Sequence, residues 1–425
     1  MRIDRLEIEN FKKYSQQTFD LHPHFTLFAG ANGAGKTTVL DALAVAAAVW
    51  LVDPPDTTLA NSRREIYQSD VRVVAEQQGD RIQFREVRPV KVTATGRIGD
   101  TEPISWTRQI RANGSRTSNA DAKVAVGCIR DWYARDAAGE DVLCPVLAYY
   151  GAGRAWLPSH SRAEKIKEGP ARRWAAFYDC FNERIRFGGL RSWFKKEAIE
   201  RGNRSGQWRE GFEAVRQAIV GCVPGASDVW FDTDRDQIVL PVDGMAQPFD
   251  NLSAGQRMLT AMIADLAIKA VTQNAFLPPG EVLKQTPGLV LIDELDVHLH
   301  PTWQRRVARD LKDTFPAIQF VCTSHSPQVI GELLPEELRY LDGDEVTTPV
   351  RSFGIDSSRI LEELMGAKPR NETVEALLTR LSDLIGDDDL NGAKQLLPQL
   401  EGILGPDDPE VTRVRALLTF LEPVE

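Results

Sequence analysis

Hydrophobic and polar residues alternate in several short stretches of the first third of the chain. Residues 3–8 alternate in this way, and an apolar run follows at residues 25–28. Alternation with a period of two is typical of a strand with one buried face, so we expect two strands in residues 1–28. The same alternation recurs in three later segments, at residues 71–74, 82–87 and 104–110. These segments predict an antiparallel sheet over residues 60–112, with a hairpin turn at Gly79-Asp80.

Helical spacing of apolar residues dominates elsewhere. Residues 37–50 predict an apolar helix, and residues 142–150 predict a buried strand. Between 160 and 222, large apolar residues recur three or four positions apart: Trp174, Phe177, Tyr178, Phe181 and Ile185, then Trp208, Phe212, Val215 and Ile219. They predict a helical insertion. Gly188-Gly189 and Gly202-Asn203 interrupt it, so a long coiled coil is excluded.

Strand signals return at residues 230–231, 237–242 and 289–292, and helical signals return after residue 355. We therefore predict an α/β protein with four regions: a first lobe with a β-subdomain at 1–157, the helical insertion at 158–222, a Rossmann-like second lobe at 223–350 and a helical tail at 351–425. The tail is expected to contain an acidic helical hairpin over 373–421, with its turn at Gly405-Pro406.

Residues 30–37 read Gly-Ala-Asn-Gly-Ala-Gly-Lys-Thr and fit the phosphate-loop pattern G-x-x-x-x-G-K-[ST] between a strand and a helix. Glycines let backbone N–H groups approach phosphate oxygens closely. The expected nucleotide-binding residues of this loop are Gly30, Asn32, Gly33, Ala34, Gly35, Lys36, Thr37 and Thr38. Lys36 is expected to contact the β- and γ-phosphates of ATP or GTP, and the Thr37 hydroxyl to bind Mg²⁺.

An acidic pair, Asp293 and Glu294, ends the apolar strand at 289–292. The pair could be an ordinary helix cap at a strand–helix junction. With a phosphate loop in the chain, the functional interpretation is favoured: Asp293 holds Mg²⁺ through water, and Glu294 orients and deprotonates the attacking water.

His325 follows another apolar strand, where a hydrogen-bond donor could sense the γ-phosphate, although a lone histidine is more often structural. His298 and His300 could suggest a metal site. No further cysteine or carboxylate cluster completes one, so we interpret them as part of a dimer-contact loop that follows the acidic pair.

Leu252-Ser253-Ala254-Gly255-Gln256 precedes a predicted helix at 258–270. It could be a serine cap with glutamine three residues later, which is a common helix start. It could also be a phosphate-binding signature, in which Ser253, the Gly255 N–H and the helix N-terminus face a γ-phosphate. Both interpretations can hold together.

The motifs together resemble those of SMC/RecF/OLD-like ABC ATPases. The segments that carry the resemblance are 6–12, 30–38, 292–301 and 323–328. Segments 148–154, 303–306 and 359–366 are similar to the compact PtuA-type ATPases that are paired with nucleases in Septu and some retron anti-phage systems. The spacing between phosphate loop and acidic strand is too long for a RecA-like or ordinary AAA+ core.

The resemblance implies an SMC-like ABC ATPase head that forms a homodimer around two ATP molecules. Ser253, Gly255 and Gln256 of one copy would cover the nucleotide held at Lys36 of the other. A separate nuclease or effector, of HNH type by resemblance, is the implied partner. Ala254 stands where the family often has glycine, and no glutamine follows Tyr150, so Arg154 is only a candidate for that sensing role. No cluster of metal-binding carboxylates follows residue 350, so the chain is not expected to cut DNA itself.

Charge and composition indicate the cellular compartment in which the protein is expected to work. The net charge is −10, and the five cysteines are scattered without a C-x-x-C pair, which favours a reducing cytoplasm. The longest apolar run, 40–52, contains Asp41 and is too short to cross a bilayer, so no membrane association is expected.

Residues 154–216 hold fifteen basic and eight acidic residues, whereas 371–425 hold four basic and twelve acidic ones. Five aromatic residues lie within the basic stretch: Trp174, Tyr178, Trp193, Phe194 and Trp208. It could be a nucleic-acid platform, with DNA as a partner, or a solvated helical face with these rings in its core.

The favoured function is that of an ATPase subunit of a prokaryotic defence complex. Three alternatives stay open: a RecF-like repair ATPase that binds DNA directly, a nucleotide-gated scaffold with little turnover, and the nucleotide-binding subunit of a transporter.

Overall fold

The computed structural model describes residues 1–78, 81–155, 173–185, 187–368 and 370–421. They form two compact units, Met1–Ile355 and Asp356–Glu425. The strands are β1 (Arg2–Phe11), β2 (Tyr14–Asp20), β3 (Phe25–Gly30), β4 (Val73–Gln78), β5 (Arg81–Glu86), β6 (Val90–Arg97), β7 (Ile104–Ile110), β8 (Val146–Tyr150), β9 (Trp230–Asp232), β10 (Gln237–Val242), β11 (Met245–Pro248), β12 (Gly288–Ile292), β13 (Ile318–Thr323), β14 (Leu338–Asp342) and β15 (Glu345–Thr347).

The α-helices of the described residues are α1 (Lys36–Ala47), α2 (Lys123–Ala137), α3 (Phe187–Asn203), α4 (Glu210–Cys222), α5 (Ala254–Gln273), α6 (Pro279–Gln285), α7 (Pro301–Thr314), α8 (Pro327–Ile330), α9 (Ser357–Arg359), α10 (Glu372–Gly386), α11 (Leu390–Leu404) and α12 (Pro409–Leu421). None of the helices in the described ranges is long and apolar enough to cross a membrane.

A six-stranded sheet in the order β15-β14-β3-β13-β12-β8 forms the centre of the first unit. Its strands are parallel except for β15, which pairs antiparallel with β14. Every residue of β3, β8, β12 and β13 is buried, as expected for a parallel sheet covered on both faces. The sheet takes β3 and β8 from the predicted first lobe and β12 to β15 from the second. One sheet therefore crosses the predicted border between the two lobes.

Antiparallel strands form separate, smaller sheets. β2, β1, β6 and β7 make a four-stranded sheet, and β4 and β5 make a two-stranded one. The strands within 60–112 are antiparallel as predicted, but they are divided between these two sheets. The count of two strands in residues 1–28 is wrong, because β2 folds back on β1 with Leu6 opposite Phe19. The predicted turn at Gly79-Asp80 lies outside the described residues.

Two side chains of β7 fasten the four-stranded sheet to α1. Trp106 Nε1 donates to the carbonyl of Ala46 at 3.0 Å, and Arg108 Nη1 donates to that of Val45 at 2.6 Å. Both acceptors lie in the last turn of α1, where carbonyls have no regular helical partner four residues on. Arg108 is fully buried, and this burial lowers its pKa to about 10 although Glu65 lies beside it. The helix that follows the phosphate loop is thereby anchored at its far end.

The helical insertion differs from its prediction in two places. Residues 173–177 form a short 3₁₀ turn instead of an α-helix, and Phe177 packs at 6.2 Å from the Trp50 ring in the main core. Gly188-Gly189 lies in the first turn of α3 and does not interrupt a helix. Residues 156–172 lie outside the described ranges.

In its described residues, the second unit contains the short α9 and three longer helices, α10 to α12, which pack together; the expected hairpin had two. Its core consists of buried apolar residues from all three: Val374, Leu381, Ala393, Leu400, Val411, Val414 and Leu418. The additional turn lies at residues 387–389, where Asp389 accepts from the Gly392 N–H at 2.9 Å and caps α11. The turn at Gly405 is present as predicted, with φ of 87°.

Candidate nucleotide-binding site

The phosphate loop connects β3 to α1 at the carboxyl edge of the central sheet. Gly33 and Gly35 have φ of 77° and 99°, in the left-handed region that favours glycine. At Gly30, an added Cβ would lie 2.4 Å from the carbonyl oxygen of Leu341 on the neighbouring strand. These three positions therefore need glycine for the loop to adopt this path.

Lys36 lies inside the loop. Its Nζ donates to the carbonyl oxygens of Gly30 at 2.9 Å and Ala31 at 3.0 Å. Burial lowers the pKa of Lys36, against the opposing effect of Asp293 and Glu294. The ammonium group is thus held at the centre of the loop, where phosphate oxygens would meet it.

Asp293 receives a hydroxyl group on each carboxylate oxygen. Thr37 Oγ1 donates to Oδ2 at 2.9 Å, and Thr323 Oγ1 donates to Oδ1 at 2.6 Å. Octahedral Mg²⁺ with ligands at about 2.1 Å places adjacent oxygens about 3 Å apart. Thr37 Oγ1 and the Asp293 carboxylate are therefore close enough to hold one Mg²⁺ ion, with Thr37 as a direct ligand and Asp293 acting through water, as expected. No group of three or more His, Cys, Asp or Glu residues in the described ranges could hold a metal by itself, so phosphate oxygens and water would complete the coordination.

Glu294 follows with a left-handed backbone (φ 50°). This conformation costs a non-glycine residue about 1–2 kcal/mol and is often found at functional sites. Its N–H donates to Thr323 Oγ1 at 2.8 Å, which fixes the turn. His325 lies beyond the end of β13, and burial, followed by the nearby Lys36 charge, lowers its pKa. A neutral imidazole with one N–H donor is thereby favoured.

These groups line one cavity of about 350 Å³. Its lining residues are Lys12, Lys13, Asn32, Gly33, Gly35, Lys36, Thr37, Thr38, Asp293, Glu294 and His325. Gly30 and Ala34 belong to the loop but are not among the residues that line the cavity. The Ala34 carbonyl accepts from Lys13 Nζ at 2.7 Å and from the Tyr14 hydroxyl at 3.0 Å. Parts of the chain far apart in sequence therefore meet around one space.

Lys12 and Lys13 were not predicted as site residues. They form the turn between β1 and β2, and the Lys12 ammonium pairs with Asp41 of α1. The only sequence signal is a pair of lysines directly after a strand. Such a pair is common, and it indicates site residues only once the structure has placed that strand beside the phosphate loop.

The signature begins α5 as a capping box. The Ser253 Oγ accepts from the Gln256 N–H at 3.3 Å, and Gln256 Oε1 accepts from the Ser253 N–H at 2.9 Å. An added Cβ at Gly255 would lie 2.3 Å from the His298 carbonyl oxygen. Ser253, Gly255 and Gln256 are not among the residues that line the Lys36 cavity. Within one chain, the structure thus brings together the phosphate loop, the acidic pair and His325, but not the signature.

The loop after the acidic pair is held by polar side chains. Ser324 Oγ donates to Asp296 Oδ1 at 2.5 Å, and Gln304 Nε2 donates to the Leu299 carbonyl at 2.9 Å. His300 caps α7, because its Nδ1 accepts from the Thr302 N–H at 3.4 Å. His300 thus has a structural role in this loop.

The sensing role after Tyr150 stays a prediction. Arg154 lies in the turn Ala152–Ala155, and its side chain is outside what the structure describes. The end of β8 does lie beside the acidic pair, since the Asp293 N–H donates to the Tyr150 carbonyl at 2.8 Å. Glu183 contacts the same strand end, where its carbonyl accepts from the Gly151 N–H at 3.1 Å.

Family models match both halves of this site. Residues 5–169 match a model described as "AAA domain", and residues 231–331 match one described as "AAA domain, putative AbiEii toxin, Type IV TA system". The matched ranges contain the phosphate loop in the first case and the signature, acidic pair and His325 in the second. The chain is therefore similar to P-loop ATPases of the SMC/RecF-like ABC class.

Within that class, the chain is similar to ATPases of retrons and of Septu. It is 29% identical over 206 residues to the retron Ec83 probable ATPase of Escherichia coli, a match that covers 47% of this chain and 38% of the relative. It is 25% identical over 356 residues to Septu protein PtuA of Bacillus mycoides, covering 80% and 40%. The chain therefore spans less than half the length of these relatives. Among solved structures, an SMC head bound to the C-winged helix domain of ScpA matches with a TM-score of 0.47 and 16% identity, covering 82% of this chain and 96% of that one.

Proposed function

We propose that the chain is a cytoplasmic ATP-binding and ATP-hydrolysing subunit of a prokaryotic anti-phage complex. In this proposal it dimerises around ATP and controls an associated nuclease or effector. The observation that carries the ATP part is the cavity in which Lys36, Thr37, Asp293, Glu294 and His325 converge.

Each of the cavity residues can take a separate part in phosphoryl transfer to water. Mg²⁺, when bound at Thr37 and Asp293, would offset charge on the phosphate oxygens. Lys36 stabilises the negative charge of the transferred group from the opposite side. The Glu294 carboxylate accepts a proton from the attacking water, and the neutral His325 ring donates its N–H to a γ-phosphate oxygen.

A dimer would explain why the signature does not line the cavity of its own chain. Ser253 is exposed and begins a helix of 20 residues, whose N-terminus favours an anion, yet it does not line the cavity of its own chain. A second copy placed head to head would supply this helix end to the nucleotide. Each ATP would then be held between Lys36 of one copy and Ser253 of the other.

Mixing two inactive variants tests this shared site. Lys36→Ala damages only the loop, and Ser253→Arg places a bulky side chain only at the signature. If each site combines two copies, a mixed dimer contains one intact site, and mixing the two purified variants restores part of the ATPase activity. Activity that stays absent after mixing, while each variant mixed with wild type still forms dimers, would contradict the sandwich.

The effector part of the proposal is supported by the retron and Septu relatives, and it needs its own test. Tagged wild type and Glu294→Gln are purified from the native host with and without ATP. We expect a nuclease or other effector to co-purify, and its amount to differ between the two proteins. Recovery of a membrane permease would overturn the defence role in favour of transport.

A further inference from the structure

Two neighbouring side chains, Lys13 and Tyr14, hold one peptide group of the phosphate loop. The Ala34 carbonyl oxygen accepts from the Tyr14 hydroxyl at 3.0 Å and from Lys13 Nζ at 2.7 Å. A trans peptide group is planar, and its C=O and N–H point in opposite directions, so the Gly35 N–H is directed away from these two donors. Among the described residues, none accepts a hydrogen bond from this N–H. It is therefore free to donate to a phosphate oxygen in the cavity that Gly35 lines.

Tyr14 can affect a nucleotide only through this peptide group. The residue is 2% exposed, its ring centroid lies 5.6 Å from that of Phe19, and it is not among the residues that line the cavity. Burial, followed by the charge of Asp344, raises the pKa of Tyr14 to about 12, so the hydroxyl remains a donor at physiological pH. The loop passes so close that an added Cβ at Gly35 would lie 2.5 Å from the Tyr14 hydroxyl oxygen. The hydroxyl is thus fixed beside the loop without lining the space that phosphates would occupy.

Lys13 differs from Tyr14, because its side chain also lines the cavity. Its Nζ donates to the Gly343 carbonyl at 3.0 Å, in the turn between β14 and β15, as well as to Ala34. Replacing Lys13 would therefore change both the support of the peptide group and the charge in the cavity. A substitution that removes only the Tyr14 hydroxyl changes the support alone.

We propose that Tyr14 is a positioning residue of the phosphate loop. Its hydroxyl, together with Lys13, orients the Ala34–Gly35 peptide group so that the Gly35 N–H donates to the α- or β-phosphate of ATP. The inference rests on the proposed ATP binding. Both of these phosphates remain in ADP, so the contact is the same before and after hydrolysis. Tyr14 therefore contributes to nucleotide affinity and not to the chemical step.

Tyr14→Phe tests this role, because it removes the hydroxyl and keeps the ring. Calorimetric titration of the full chain with Mg-ADP gives Kd, and steady-state hydrolysis of ATP gives KM and kcat. We expect Kd and KM to rise about threefold, since Lys13 still holds the Ala34 carbonyl. In a Lys13→Met background the hydroxyl is the remaining side-chain donor, so the same change should raise both about tenfold. In each background kcat should stay within about twofold.

Tyr133→Phe is the matched control. The Tyr133 hydroxyl is likewise buried and donates to a backbone carbonyl, that of Trp50, at 3.1 Å. Neither residue belongs to the phosphate loop or lines its cavity. We expect both Tyr→Phe variants to lower the melting temperature measured by circular dichroism to a similar degree, and only Tyr14→Phe to change nucleotide affinity.

The inference is supported if Kd for ADP and KM for ATP rise together, kcat persists and Tyr133→Phe binds like wild type. It is overturned if Tyr14→Phe leaves affinity unchanged in both backgrounds, or lowers kcat at an unchanged KM. An equal loss of affinity in Tyr133→Phe also overturns it, because the effect would then come from general destabilisation. A wild-type chain that binds no nucleotide removes the proposed function as well, whereas normal wild-type turnover with an insensitive Tyr14→Phe overturns this inference alone.

Discussion

At the scale of single residues, one hydroxyl group connects the two acids of the nucleotide site. Thr323 Oγ1 donates to Asp293 and accepts from the Glu294 N–H, and the residue is fully buried. The Asp293 carboxylate and the backbone of Glu294 are therefore held by the same atom. Thr323 acts through its neighbours and is a positioning residue.

Replacing Thr323 tests this arrangement. Thr323→Val keeps the shape and removes both hydrogen bonds, so we expect a loss of about 1–3 kcal/mol in the free energy of unfolding together with a lower ATPase kcat. Thr323→Ser keeps the hydroxyl and should retain most of both. Denaturant unfolding and steady-state kinetics measure the two effects. Wild-type turnover in folded Thr323→Val would show that the positioning is unnecessary.

Glu294 gives the second residue-scale prediction. Glu294→Gln removes the proton acceptor but not the Lys36 contacts, so hydrolysis should fall by about 10²- to 10⁴-fold while ATP binding persists. Glu345→Gln, an exposed acid on β15, is the control and should behave as wild type. A Glu294→Gln protein that hydrolyses ATP at the normal rate would exclude this residue as the base.

The sequence predicted the phosphate loop and the acidic pair because each is a local pattern with a strand beside it. It could not predict that Thr323 meets Asp293, since that contact depends on the register that sets Ile292 opposite Cys322. The left-handed backbone of Glu294 is likewise invisible in the sequence, because glutamate rarely adopts it.

At the scale of elements, the start of α5 is packed tightly against the loop that follows the acidic pair. Gly255 leaves no room for a side chain there, as its Cβ would meet the His298 carbonyl. We therefore expect a movement of that loop to displace the start of α5 and, with it, the signature. Within one chain, this contact joins the signature to the loop after the acidic pair. In the proposed dimer, these two parts belong to different nucleotide sites.

Gly255→Ala tests the contact. We expect it to destabilise the protein by roughly 1–3 kcal/mol, because either the helix or the loop must shift. Gly127→Ala is a matched control: Gly127 lies within α2, and its added Cβ would meet nothing within 4 Å. That change should stabilise the protein by about 0.5–1 kcal/mol. Equal melting temperatures for the two variants would show that the close approach has no energetic consequence.

The alternation of polar and apolar residues predicted individual strands better than it predicted how those strands pair into sheets. It marked β5 and β7 correctly, but it missed that β7 joins β1 through β6, whose Arg97 pairs with Arg2. Such pairings connect residues about a hundred positions apart, and a local pattern carries no information about them.

At the scale of the whole molecule, the nucleotide site belongs to one of the two compact units. All residues lining the Lys36 cavity precede Ile355, whereas the acidic helices α10 to α12 have a core of their own. The predicted borders between the two lobes and the insertion stay proposals.

Truncation after Ile355 tests whether the units are independent. We expect the shortened chain to bind ATP and to hydrolyse it with the same dependence on Glu294. Nucleotide titration and a phosphate-release assay measure this. A folded truncated chain that no longer binds ATP would show that the tail contributes to the site.

The strand order of the central sheet has a consequence for how the protein is made. β3 leaves the ribosome long before both of its sheet neighbours, β13 and β14, are translated. An incomplete nascent chain that stops before Ile318 therefore exposes a strand that is buried throughout in the folded protein, and it has no complete phosphate pocket. We expect premature termination to yield an aggregation-prone fragment without ATPase activity.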